Sequence, residues 1–315
     1  MKTLTFPVNI VGAAWKNKNL FIRNFRSFAA LNMKFVQYKQ KGDQTQRLGI
    51  FNDNESEIKE LSGFPNDLKK LIESGVNIDD IKAKSSSFKS INRSEVEILA
   101  PITEPQKILC VGLNYRGHCD EQNKPYPKEP MFFSKFASSL VGPFDNVIAH
   151  KISDSIDWEV ELAVIIGKKA FHVNKQNALD YVFGYSVAQD ISARDWQKQR
   201  NGGQFLIGKS MDTFAPVGPC VVTRSAIDAS DLSIKCSVNG VEKQNGRTSE
   251  LIFDIPDIIE RVTQSITLLP GDIILTGTPS GVGMHRNPPE YLKPGDVIES
   301  EIEGIGKIVN KVVEG

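Results

Sequence analysis

The segment Asp157-Trp158-Glu159-Val160-Glu161-Leu162-Ala163-Val164-Ile165-Ile166-Gly167 sets two carboxylates into an apolar run whose pattern predicts a β-strand. Side chains at i and i+2 of a strand share a face, so Glu159 and Glu161 point with Ala163 and Ile165, while Val160, Leu162 and Val164 point the other way. Two like charges side by side on a half-buried strand repel and lose hydration, and a cation compensates both effects. An oxygen-only donor set suits Mg²⁺, Mn²⁺ or Ca²⁺ rather than zinc. The competing reading is a solvent-facing edge strand with both glutamates hydrated. A third carboxylate, Asp190, ends the next predicted strand, Tyr185 to Asp190, and could meet the first two at one point.

Three further groups have chemistry in reach. His118 and Glu121 are three residues apart, which on a helix puts them on one face. A carboxylate hydrogen-bonded to imidazole fixes its tautomer and raises its basicity, as water activation or proton transfer requires; a surface ion pair is the plainer alternative. Lys209, among small and apolar residues, could stabilise an oxyanion or act as acid or base if its pKa falls, or simply snorkel to the surface. The run Pro270 to Gly283 predicts a strand and then a glycine-rich loop, whose N–H groups and Thr278 hydroxyl could hold a carboxylate. It matches neither a phosphate loop nor a dinucleotide fingerprint, and a tight structural turn would look the same. Cys119 lies beside His118, but adjacent helical residues diverge, which argues against a thiol nucleophile.

The elements that must position these groups are mostly short strands. Strands are predicted at 34–38, 47–51, 108–112, 162–166, 217–223, 232–238, 273–276, 297–302 and 308–313, with helices at 65–74, 175–181 and 254–264 and another carrying His118 and Glu121. Many strands with few intervening helices define a β-rich α+β protein rather than an alternating βαβ sheet. The lysine- and serine-rich stretch Lys82 to Ser90 predicts a surface loop or linker, dividing a small N-terminal domain (33–100) from a catalytic domain (101–315). The 315 residues are 40% apolar, enough for a large core. Lys plus Arg and Asp plus Glu both total 38, which gives no electrostatic pull toward nucleic acid or a charged membrane surface, and no apolar run is long enough to span a bilayer. Cys110, Cys119, Cys220 and Cys236 lack zinc spacing and read as reduced thiols. The first 42 residues hold no acid but eight basic residues, and Phe21, Phe25 and Phe28 share one face of a hypothetical helix; residues 1–32 therefore predict a mitochondrial presequence, and Met33 offers an internal start for a cytosolic form.

In order and context these segments resemble the fumarylacetoacetate hydrolase family. The resemblance rests on Gly112-Leu113-Asn114-Tyr115 followed by His118 and Glu121, on Trp158 to Leu162, on Gln189 to Asp195, on Gly208-Lys209-Ser210 and on Thr276 to Gly283. It covers residue 105 to the carboxyl terminus closely and extends more loosely back to Met33. It implies a mixed β-roll catalytic fold forming homodimers. It further implies one Mg²⁺ (or Mn²⁺ or Ca²⁺) on Glu159, Glu161 and Asp190, His118 and Glu121 on a lid, Lys209 and Gln197 facing the substrate, and Thr278 on a substrate carboxylate. A metal chelated by keto and carboxylate oxygens stabilises an enolate, which tautomerisation, decarboxylation and carbon–carbon hydrolysis of oxo acids share. The segments Lys128-Glu129-Pro130, Phe133 to Ser139, Arg194 to Gln197 and Arg286 to Pro289 point to a branch linked to oxaloacetate keto–enol tautomerisation in the mitochondrial matrix. The expectation is therefore a tautomerase acting on a small 2-oxo dicarboxylate, with an acylpyruvate-type hydrolase, an oxaloacetate decarboxylase and an inactive dicarboxylate binder as alternatives.

Overall fold

The computed structural model describes residues 33–315, so the predicted presequence lies outside the described residues. The chain opens with β1 (Lys34–Gln40), β2 (Arg47–Phe51) and β3 (Glu57–Glu60), runs through α1 (Leu68–Glu73) and α2 (Ile78–Lys84), and returns in β4 (Ser90–Asn92) and β5 (Val96–Ile98). Next come β6 (Ile108–Gly112), α3 (Arg116–Glu121), β7 (Met131–Lys135), β8 (Leu140–Val141), β9 (Val147–Ala149), β10 (Ile156–Asp157), β11 (Val160–Ile166), β12 (Val182–Gln189) and β13 (Ser192–Ala193). Two short helices, α4 (Arg194–Lys198) and α5 (Phe205–Ser210), lead to β14 (Ala215–Thr223), β15 (Ser233–Val238), β16 (Val241–Arg247), α6 (Ile255–Thr263), β17 (Ile273–Leu275), β18 (Val297–Ile302) and β19 (Gly306–Glu314).

The backbone of the fold is a mixed sheet in the order β4-β3-β2-β1-β14-β12-β11-β17-β6-β7, over which lies a second sheet, β16-β15-β18-β19-β9. This is the β-rich α+β roll that the strand pattern predicts. β1 pairs antiparallel with β14, Phe35 opposite Val221, so residues 34–98 extend the same sheet that carries the chemistry. Lys82 to Ser90 departs from the loop expectation. The Asn77 side chain caps α2 by accepting from the Asp79 N–H, a 3-10 turn follows at Ser85–Ser87, and the chain re-enters the sheet as β4 against β3. The predicted helix at Lys175–Tyr181 is likewise a 3-10 helix.

β11 lies between β12 and β17, antiparallel to both, and all seven of its residues are buried. The hydrated edge-strand reading is thereby excluded. Its two faces enter different cores: Val160, Leu162, Val164 and Ile166 meet Ile234, Ile298, Ile302 and Ile308 of the second sheet, while Ala163 and Ile165 meet Phe35, Leu68, Leu71 and Ile81 of the N-terminal segment. Each such side chain contributes about 1.5–3 kcal/mol on burial, enough in sum to hold a carboxylate in the same strand out of water.

β17 runs parallel to β6, and Asp272 sets the entry to it. Its carboxylate, 1% exposed, accepts from the Lys107 N–H (3.0 Å) and the Leu269 N–H (2.7 Å) and pairs with Lys107 Nζ (2.9 Å). Asp272→Ala strands two buried donors and should lower unfolding stability by about 2–4 kcal/mol. A urea midpoint equal to that of the parent protein would refute this role.

Candidate active site

The start of β11 and the end of β12 bring three carboxylates together. Glu159 and Glu161 sit at the entrance of β11, and Asp190 directly follows β12, with the Asp190 N–H bonded to the Glu159 carbonyl (2.9 Å). The entrance of β11 is pinned from both sides: Gln189 Oε1 accepts from the Glu159 N–H (2.8 Å), and Gln244 Oε1 accepts from the Val160 N–H (3.0 Å). Relative exposures are 5%, 2% and 0% for Glu159, Glu161 and Asp190, and each offers an oxygen within 4.8 Å of the others.

Lys209, on α5, donates to Glu159 Oε2 (2.7 Å) and Asp190 Oδ2 (2.6 Å). Lys135, at the end of β7, donates to Asp190 Oδ1 (2.5 Å), and Arg194 Nη2 lies 2.7 Å from Glu159 Oε1. Glu161 has no such cation; its Oε2 accepts the Gly277 N–H (2.7 Å). That approach requires glycine, because Gly277 has φ 106° and a Cβ there would lie 2.8 Å from Asn114 Cβ. Burial raises the Glu161 pKa well above the carboxylate range, and the negative charges of Asp190 and Glu159 raise it further. Burial pushes Glu159 the same way, but Lys209, Arg194 and His118 outweigh it and its pKa falls. Lys209 is desolvated, yet Asp190 and Glu159 hold its pKa above the ordinary lysine value, so it is a fixed ammonium and not a base.

His118 and Glu121 do share a face of α3. His118 Nδ1 lies 2.5 Å from Glu121 Oε1, and Glu121 Oε2 accepts the Gly281 N–H (2.8 Å), so the helix is pinned onto the glycine-rich loop. The Gln122 amide lies 2.9 Å from His118 Nε2, which assigns the proton to Nδ1 and the lone pair to Nε2. Cys119 points away, its Sγ against the Leu113 carbonyl (3.5 Å), and burial raises its thiol. Gln197 Oε1 accepts from Arg194 Nη1 (3.0 Å). The Thr278 hydroxyl donates to the Val160 carbonyl (2.9 Å) and accepts from Gln244 Nε2 (2.7 Å), so its proton is spent on holding β11. His118, Glu159, Glu161, Gln197, Lys209 and Thr278 all line one cavity of about 280 Å³.

Some members of the site gave no readable signal in the sequence. Asp157 is fully buried and binds Arg194 Nε (2.8 Å) while accepting the N–H groups of Trp158, Gly283 and Met284. It thereby fixes both the guanidinium and the loop that follows Thr278. An aspartate two residues before a glutamate looks like strand-edge polarity until its partners, 37 and 126 residues away, are in view. Lys135 was hidden in the same way. His285 also lines the cavity, its ring 6.3 Å from that of His118.

The donor set fits a divalent cation. If ionised, Asp157, Glu159, Glu161 and Asp190 outnumber Lys135, Arg194 and Lys209, and the acid left without a cationic partner is the one whose pKa climbs. A hard cation on the three clustered carboxylates removes that deficit.

Fold and site together fit an enzyme for small oxygen-rich anions whose carboxylate cluster could hold a metal ion. The chain belongs to the fumarylacetoacetate hydrolase family: residues 107–313 match the model described as fumarylacetoacetate (FAA) hydrolase C-terminal. It is 46% identical to "Oxaloacetate tautomerase FAHD2A, mitochondrial" of Homo sapiens, covering 90% of this chain and 92% of that protein. It is 44% identical to "Oxaloacetate tautomerase fahd2, mitochondrial" of Xenopus laevis, over 95% and 96%. Among solved structures, a fumarylacetoacetate hydrolase from Exiguobacterium antarcticum aligns with TM-score 0.81 at 37% identity, over 90% of this chain and all of that one. A maleylpyruvate hydrolase from Sphingobium aligns with TM-score 0.75 at 31%, with the same coverage.

Because burial and the neighbouring carboxylates raise the Glu161 pKa, metal affinity should rise with pH until that raised pKa is passed, and then level off. Calorimetric titration with MgCl₂ in two buffers of different protonation enthalpy should detect proton release on ion binding below the raised Glu161 pKa. Glu161→Gln should release none. Proton release that persists in this variant would place the titrating group elsewhere.

Proposed function

We propose that the protein is a mitochondrial oxaloacetate tautomerase, converting the enol to the keto acid, with Mg²⁺ held by Glu159, Glu161 and Asp190. The observation that carries this reading is the carboxylate-buttressed imidazole of His118 lining the same cavity as Glu159 and Glu161 of the clustered triad, in a chain 46% identical to an oxaloacetate tautomerase over nine-tenths of its length. The mitochondrial assignment is supported by the names of those relatives and by the basic, acid-free leader.

When bound, Mg²⁺ supplies Lewis-acid polarisation of the 2-oxo and adjacent carboxylate oxygens. The chain supplies the proton path. His118 Nε2, freed from Gln122, takes the enol proton from O2, and the imidazolium so formed returns it to C3 as the C=C pair captures it and the C2 carbonyl forms. Glu121 on Nδ1 stabilises the imidazolium during the transfer and holds the ring in place, as a buried carboxylate beside imidazole does. The Lys209 ammonium, fixed between Glu159 and Asp190, adds positive charge beside the developing anion. Gln197 is braced by Arg194 to offer its amide to the substrate, and the loop carrying Thr278 receives a carboxylate. The enzyme works as a homodimer in this reading.

A hydrolase or decarboxylase would use the same floor, and the solved relatives include hydrolases. Time-resolved proton NMR of enol oxaloacetate with the protein and Mg²⁺, against a chelator control, separates them. Accelerated keto oxaloacetate without extra pyruvate is expected. Pyruvate formation would make the protein a decarboxylase, and no acceleration would favour the acylpyruvate or inactive-binder readings.

Two substitutions test the assignments. Glu159→Gln should abolish metal-dependent turnover while the far-ultraviolet circular dichroism is unchanged; retained turnover would sink the metal assignment. His118→Ala should slow tautomerisation by about 10²- to 10⁴-fold, the usual worth of a positioned base. An unchanged rate would remove His118 from the proton path.

A further inference from the structure

The floor of the cavity is acidic, but its mouth is basic. Helix α4 turns Arg194, Gln197 and Lys198 toward the cavity, the i, i+3, i+4 spacing of one helical face. Opposite, α3 brings His118 and Gln122 to the same cavity, and the chain leaving it adds Lys124, whose N–H is tied back to the Cys119 carbonyl (3.0 Å). The ion pairs around the cavity join His118 to Glu121, Arg194 to Glu159, and Lys209 to Glu159 and Asp190. Among the described residues, neither Lys124 nor Lys198 takes part in one. Desolvation lowers the Lys198 pKa, and the charges of Arg194 and Lys124 lower it further, as expected of cations converging without a counter-charge. What sets these two lysines apart is their place: both line the cavity that holds Glu159, Glu161 and Lys209.

We infer that Lys124 and Lys198 form a specificity gate that receives the second carboxylate of a dianionic substrate, the end remote from the triad. This rests on the tautomerase reading of the site and deepens it by assigning the substrate's far end. A carboxylate entering between two uncompensated ammonium groups completes their charge balance, whereas a neutral group there leaves them mutually repelling. Because both side chains are exposed, their attraction is screened by salt.

The test is the double variant Lys124→Gln, Lys198→Gln in the full-length, Mg²⁺-loaded enzyme. With oxaloacetate, KM should rise by about tenfold while kcat changes less than twofold, since the gate holds the substrate end that does not react. The parent should prefer oxaloacetate over its 4-methyl ester, and the double variant should lose that preference. Raising NaCl from 50 to 500 mM should raise the parent's KM and leave the variant's nearly flat. An unchanged KM, a kept preference for the free acid, or an equal loss of kcat would overturn the gate. If the parent enzyme itself shows no tautomerase activity, the functional reading fails separately. The gate is then read by calorimetric binding of malonate against its monomethyl ester, where equal affinities in the parent protein overturn it.

Discussion

A carboxylate with no cation of its own, buried at the entrance of a strand that is paired on both edges, is the constraint on which this structure turns. Glu161 lies in β11, which is paired on both edges and packed on both faces, so it can neither rotate to solvent nor leave without dismantling two cores. Its neighbours Glu159 and Asp190 are neutralised by Lys209, Lys135 and Arg194, and the surplus charge falls on the one side chain whose contact is a backbone N–H. An ionised carboxylate so placed costs several kcal/mol unless it is protonated or bound to metal. The apolar strand makes that cost tolerable, and the cost gives the site its appetite for a divalent ion.

Around this floor a second group of buried polar contacts transmits position. Asp157 spends its two oxygens on Arg194 and on the backbone of residues 283 and 284, and Arg194 in turn braces Glu159 and Gln197. Gln244 joins the entrance of β11 to Thr278 and to the Pro279 carbonyl. Asn114 bonds the Thr276 and Phe253 carbonyls and accepts from the Phe253 N–H, tying the chain before α3 to the end of β17. Apart from Arg194 on Gln197 within α4, each contact joins segments more than thirty residues apart, so the geometry of the floor exists only once the sheet is closed.

That distinction explains what was legible in the sequence. The two-residue period of β11 and the apolar runs of β6, β14 and β18 are local signals, and they gave the strands nearly to the residue. Glu159, Glu161 and Asp190 were visible because an acid in an apolar strand conflicts with its surroundings. His118 and Glu121 were visible because their spacing is a helix period. The Lys82 to Ser90 segment misled because its composition is that of a loop, while the cap at Asn77 decides that it begins in a helix. Asp157 and Lys135 carry no local conflict, and their importance lies wholly in distant partners.

The floor and the roof of the site are built to different standards of rigidity. Glu161 lies in β11, and Glu159 and Asp190 directly adjoin the start of β11 and the end of β12, strands paired on both edges, where small displacements would break ladder hydrogen bonds and core packing together. The roof is α3 and α4, of six and five residues, each too short to be stable by itself. α3 is anchored to the loop by one contact of the catalytic pair, Glu121 on Gly281, where φ 102° and a backbone carbonyl 2.1 Å from any added Cβ exclude other residues. The carboxylate that holds the His118 ring is therefore also the contact that ties α3 to the loop. One side chain both orients the imidazole and seats the helix that carries it, so losing the Glu121 carboxylate removes both contacts at once.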